Sequence, residues 1–135
     1  MKQSEAIKAF ISIKKLNSQD VSPRVAQNIF RLYKELQSVY DFQIQEEQKI
    51  FKKHPNFDVS IGGIKTNNSN DPVEKEQSSK EILEINDELK ELGNTDTVVN
   101  FEKITINTMH EDIKLSGEDI ANLEPFILFV YGPPT

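Results

Sequence analysis

Residues 22–53 read SPRVAQNIFRLYKELQSVYDFQIQEEQKIFKK, and how they fold decides the rest of the chain. Ser22-Pro23 is a helix start: serine suits the position that accepts the first free N–H, and proline at the first helical residue loses no hydrogen bond. The apolar residues Val25, Ile29, Leu32, Leu36 and Val39 then step by 4, 3, 4 and 3, which draws a seam along one side of a helix. Unbroken to Lys53, that helix is roughly 45 Å long. Such a seam requires a partner helix. In the second half the seam position becomes Gln43, Glu46 and Glu47 crowd the next turn, and apolar character returns only at Ile50 and Phe51. The middle is therefore expected to face water or another chain. Pro55 ends the helix, because it lacks the donor and disfavours helix in the residue before it.

Outward from this stretch the pattern is of shorter elements. Glu5 to Leu16 carries Ala6, Ile7, Phe10, Ile11 and Ile13, which suits a short amphipathic helix, with a strand at Phe10 to Ile13 as the rival. On the other side, Phe57, Val59 and Ile61 alternate up to Gly62-Gly63, predicting a short strand and a turn, and residues 65–71 read as a mobile loop. Asp71-Pro72-Val73-Glu74 repeats the cap-and-proline signal and starts a second long helix to Leu92. Its seam is Ile82, Ile85, Leu89 and Leu92, and Gly93 is placed to terminate it. Thr97 to Met109 is rich in β-branched and aromatic residues and predicts one or two strands. Ser116-Gly117-Glu118-Asp119 opens a third helical stretch with Ile120, Leu123, Phe126 and Ile127, which Pro125 kinks or ends. The tail 131–135 is extended.

The expected fold is α+β. Two long antiparallel helices combine with one or two short helices and a small β element from residues 57–64 and 97–109, in a single domain spanning 1–135. At 135 residues, 36% apolar and 28% charged, the chain is long enough for one core. It contains no cysteine, which excludes disulfides, thiol nucleophiles and thiolate metal sites. No apolar run approaches the ~20 residues that span a bilayer, and Lys8, Lys14 and Lys15 interrupt any leader behind Met1. A cytosolic location is expected, with no membrane partner.

Charge is unevenly shared. Residues 1–70 hold 11 basic and 7 acidic side chains, whereas residues 71–135 hold 5 and 15, balances of +4 and −10 within the net −6. One account is that two antiparallel helices of opposite balance attract each other; the other is that the acidic half offers a surface to a basic partner and steers its approach. Direct nucleic-acid binding does not fit a chain of this net charge. Phe30, Tyr33, Tyr40 and Phe42 beside Arg24, Arg31 and Lys34 resemble a base-stacking set, but Tyr33 and Tyr40 lie seven residues apart next to the seam, as packing residues do.

Candidate chemistry is sparse. His110-Glu111-Asp112 cannot converge on one metal ion from adjacent positions, and His54 before Pro55 is expected to cap the long helix, its ring against the exposed carbonyls. Carboxylates spaced by three and four residues on a lysine-bearing helix read as a hydrated face, and Gly62-Gly63 has no Gly-Lys-Ser/Thr to make a phosphate loop. No catalytic residue, metal site, cofactor or small-molecule substrate is expected. The residues assigned to partner binding are Gln43, Glu46, Glu47, Glu84, Asp87, Glu88 and Glu91.

Three stretches carry a resemblance: Ser22 to Ile29 running through Glu46-Glu47-Gln48-Lys49-Ile50; Glu84 to Leu92 feeding Phe101 to Ile106; and Leu115-Ser116 to Leu123-Glu124-Pro125-Phe126-Ile127. Their order is similar to that in a group of small proteins encoded by tailed bacteriophages and prophages. It covers most of the chain, although His54 to Gly63 stands where that group has a charged loop containing Tyr-Gly. The resemblance implies a phage protein and carries no activity, cofactor or catalytic residue with it; the half-polar seam at Gln43 to Glu47, the charge polarity and the sparse chemistry lead to the expectation of a non-enzymatic protein acting through protein–protein contacts, in virion or tail assembly or as an accessory factor, in the host cytoplasm or the virion. The alternative is an acidic inhibitor of a bacterial defence nuclease that imitates nucleic-acid phosphates.

Overall fold

A computed structural model describes residues 1–55, 57–58, 63–64, 72–109 and 111–131. Its described elements are, in order, helix α1 (Gln3–Asn17), helix α2 (Pro23–Lys53), strands β1 (Phe57–Asp58) and β2 (Gly63–Ile64), helix α3 (Pro72–Asn94), strand β3 (Ile104–Asn107), helix α4 (Gly117–Leu123) and strand β4 (Ile127–Val130). The chain is thus mostly helical with a small sheet, an α+β protein. Two compact units are present: Met1–Asp41 with Asp96–Thr135, and Phe42–Thr95. The predicted loop at 65–71, Val59 and Ile61 of the predicted strand, and the tail from 132 lie outside the described residues.

The first unit explains where the α2 seam goes. Ile29, Leu32, Leu36 and Val39 are buried in one cluster with Ala6, Ala9, Phe10, Ile13 and Leu16 of α1, Ile106 of β3, Leu123 of α4, and Phe126 and Ile127. The residues of α1 settle as a helix because their spacing of three and four presents one apolar face to this seam. Phe10 stands at the centre of it, stacked on Tyr33 and Tyr40 with ring centroids 5.4 and 4.6 Å away. The strand reading of Phe10 to Ile13 therefore fails, and the two tyrosines pack rather than stack on bases.

The sheet differs from expectation. Residues 97–103 are irregular, with Val98 exposed, and within 97–109 only Ile104–Asn107 is strand. Its partner is β4, paired in parallel with Ile104 opposite Ile127 and Asn107 opposite Val130. The predicted third helix stops at Leu123, so Ile127 belongs to a strand and not to a helical face. An uninterrupted apolar run fits either state by periodicity; Pro125 and the free main-chain groups of β3 decide it. A parallel pair needs a crossover, and α4 supplies it. The hairpin β1–β2 pairs Phe57 with Ile64 and Asp58 with Gly63. α3 continues through Gly93 to Asn94, where Thr95 closes the turn with its N–H on the Leu92 carbonyl and its hydroxyl on that of Glu91.

Polar contacts lock α4 and its preceding loop onto α1 and the α1–α2 loop. Asp119 closes a capping box with Ser116 at the start of α4. Its buried carboxylate also accepts from the Ser12 hydroxyl at 2.8 Å and from Lys15 Nζ at 3.2 Å, while Asn122 donates to Ser12. The Gln19 amide holds both the N–H and the carbonyl of Lys114 at 2.7 Å. Ser22 does not use its hydroxyl as the expected cap: hydroxyl and N–H both donate to the Glu111 carboxylate, and its carbonyl accepts from Ala26.

Burial alone would raise the pKa of Asp119, but the hydrogen bonds from Ser12, Ser116 and Lys15 outweigh it and hold the carboxyl below the ordinary aspartate value. The stability this confers is present above the unfolded-chain value of about 4 and is lost as pH falls through the lower folded-state value. Asp119→Ala is accordingly expected to cost about 1–3 kcal/mol in chemical denaturation at neutral pH. The gap to the native chain should narrow in acid; a gap that stays constant would contradict a stabilising ionised carboxylate.

Candidate functional site

The residues assigned to partner binding all fall in the second unit, on the second half of α2 and on α3. Those on α2 are engaged locally. Gln43 Nε2 donates to Glu47 at 2.9 Å, one helical turn on, and Lys49 Nζ lies 2.8 Å from Glu46. All three are half-buried, and bonds along the helix satisfy part of this polar interruption, leaving the Gln43 amide oxygen buried without a hydrogen bond.

On α3 the carboxylates divide by helical position. Ile85 is buried, and Ile82, Leu89 and Leu92 are half-buried on the inner side. Glu88 lies towards that side, with Lys53 Nζ at 3.6 Å from Oε1 and His54 Nε2 at 3.5 Å from Oε2. Glu84, Asp87 and Glu91 are exposed, and Leu83 stands among them at 62% exposure. At 3.6 residues per turn these four residues occupy about 100° of arc, a continuous outer face of three carboxylates and one apolar side chain. Lys80 stands one turn before it and Lys90 borders it. A shallow groove of about 280 Å³ runs between Glu46, Ile50 and Lys53 of α2 and Glu88, Glu91 and Leu92 of α3.

His54 does not cap α2. Its ring is buried, with Nδ1 3.2 Å from Glu81 Oε1 and Nε2 facing Glu88, while its N–H closes the last turn on the Phe51 carbonyl. The reason is packing: once the chain turns at Pro55, the ring is carried onto α3 and away from the exposed carbonyls. Phe51 stacks on Phe57 beside this turn, centroids 5.3 Å apart. Of the two contacts, Nδ1 with Glu81 is the hydrogen bond; Nε2 and the facing Glu88 Oε2 are buried without one. Nothing in the sequence marked this clasp, because its three members lie 27 and 34 residues apart.

A second charged surface, not assigned from the sequence, lies in the first unit. A groove of about 490 Å³ runs between Asn28, Phe30, Arg31, Lys34 and Glu35 of α2 and the segment Asn100–Ile104, which brings in Lys103. Phe30 is 49% exposed, with the Lys34 ammonium 5.4 Å above its ring. Among the described residues no group of three or more His, Asp or Glu side chains is placed to hold a metal ion; His110 lies outside them. No described helix is long and apolar enough to cross a membrane.

Removing the ring of His54 should loosen α3. His54→Ala is expected to lower amide hydrogen-exchange protection around residues 81–88 by roughly tenfold or more, the equivalent of losing a charge-assisted bond of about 1.5–3 kcal/mol. Unchanged protection there would show that the clasp holds nothing. Compared with family models, curated proteins and solved structures, the chain matches none of them.

Proposed function

We propose that this is a non-enzymatic bacteriophage or prophage protein that works by protein–protein contact, in virion or tail assembly or as an accessory factor, within the host cytoplasm or the virion. The observation that carries the contact reading is the outer face of α3. Glu84, Asp87 and Glu91 are exposed there beside Leu83, which gives a partner an apolar anchor framed by charge. The phage assignment rests on the sequence resemblance. In this reading the second half of α2 and α3 form an antiparallel helical pair, supported by His54 meeting Glu81 and Glu88 while the groove from Glu46 to Lys53 ends at Leu92 and Thr95. Holding α3 from its inner side leaves its acidic side free for a partner.

The same row of carboxylates favours a second reading, an inhibitor that occupies the basic groove of a bacterial defence nuclease. Glu91 lies seven positions after Glu84, roughly 10.5 Å along the axis. That length presents three negative charges in line, as a short run of phosphates does.

Both readings are tested on one variant, Glu84→Lys/Asp87→Lys/Glu91→Lys. Captured from phage-infected cells, the native chain should retain a defined partner whose recovery falls about tenfold or more with the variant, since 1.4 kcal/mol is a factor of ten. Recovery unchanged by reversal would overturn the role of this face. If the captured partner is a nuclease whose cleavage the native chain blocks and the variant does not, the inhibitor reading replaces assembly.

A further inference from the structure

The outer face of α3 has a counterpart of opposite sign on α2. Arg24, Gln27, Phe30, Arg31 and Lys34 are all exposed and occupy about 120° of arc at 3.6 residues per turn. Phe30 stands at one edge of this face, as Leu83 does on α3, and Arg24, Arg31 and Lys34 with the neutral Gln27 fill the rest. The two rows are comparable in length: Glu91 lies seven positions after Glu84, roughly 10.5 Å, and Lys34 lies ten after Arg24, roughly 15 Å. Across the groove that borders Arg31 and Lys34, Lys103 stands beside Glu102, so that side adds no net charge. Glu35 borders the basic face and Lys90 the acidic one.

Each face exposes a large apolar side chain next to like charges. This arrangement gains little from water alone, because neighbouring like charges repel, and it gains most when an opposite row covers it. We infer that the two faces pair between copies of this chain, the acidic face of α3 in one copy docking on the basic face of α2 in the next. Leu83 and Phe30 meet at one edge, and Glu84, Asp87 and Glu91 run opposite Arg24, Arg31 and Lys34. The contact joins two different surfaces, so it is heterologous. It leaves each terminal copy with an unfilled face and extends into rings or filaments with rising concentration. This identifies the partner of the acidic face proposed above and so rests on that reading.

Sedimentation velocity on the full chain tests it. The native protein should associate increasingly with concentration, and association should weaken at least tenfold between about 50 and about 500 mM salt, as exposed charge pairs are screened. Arg24→Glu/Arg31→Glu and Glu84→Lys/Asp87→Lys/Glu91→Lys should each sediment as monomers with native circular dichroism. Mixed together, they should associate one to one, because each retains the face that the other has lost. A native chain that stays monomeric at every concentration, or native assemblies indifferent to salt, would overturn the pairing, as would a mixture that remains monomeric. A monomeric native chain that still captures a foreign partner through Glu84, Asp87 and Glu91 would overturn self-docking and leave the broader contact function standing.

Discussion

The rest of the structure depends on the burial of one helical seam under a short helix. Ile29, Leu32, Leu36 and Val39 would leave a long apolar stripe in water unless something covered them, and α1 covers them, with Phe10 stacked between Tyr33 and Tyr40. Burying a side chain of this kind contributes about 1.5–3 kcal/mol, so the four together outweigh any single polar contact in the unit. The seam does not wait for a second long helix. Its demand is met by residues that precede it in the chain, and β3, α4 and β4 complete the same core.

That arrangement dictates what remains outside. A helix packed on one side presents its other side to solvent, and on the first half of α2 that other side holds Arg24, Arg31, Lys34 and Phe30. In the second unit the inner face of α3 is held by Ile85 and by the His54, Lys53 and Glu88 contacts, so its outer face holds Glu84, Asp87, Glu91 and Leu83. Two solvated faces of opposite sign are thus a consequence of how two seams are satisfied. The charge asymmetry in the sequence becomes, in three dimensions, a pair of surfaces. Surface pairs within a chain are worth little, whereas complementary rows brought together at an interface direct orientation and rate of encounter.

Much of this was legible from residue spacing and caps. Pro23 and Pro72 mark the first residues of α2 and α3, the seam residues from Ile29 to Val39 are buried, and Ser116-Gly117-Glu118-Asp119 opens α4 as expected. What was not legible is non-local. Ile127 to Val130 is apolar at every position, so no periodicity distinguishes strand from helix, and pairing with β3 across more than twenty residues decides it. The seam of α2 announced a need for a partner without naming α1. His54 looked like a cap because capping is a local contact, and its true neighbours on α3 lie a long way along the chain. Of the candidate residues, Glu84, Asp87 and Glu91 occupy the exposed face that their spacing suggested. Gln43, Glu46 and Glu47 are tied to neighbours on or beside their own helix, a matter of side-chain reach that sequence position leaves open.

The most direct measurement is the set of nuclear Overhauser contacts made by the Phe10 ring in the full chain. If α1 answers the α2 seam, Phe10 ring protons show cross-peaks to the rings of both Tyr33 and Tyr40 and shifts displaced by stacking. Random-coil shifts for Phe10, or cross-peaks from Tyr33 and Tyr40 to residues of α3 in its place, would contradict the packing from which the basic face of α2 follows.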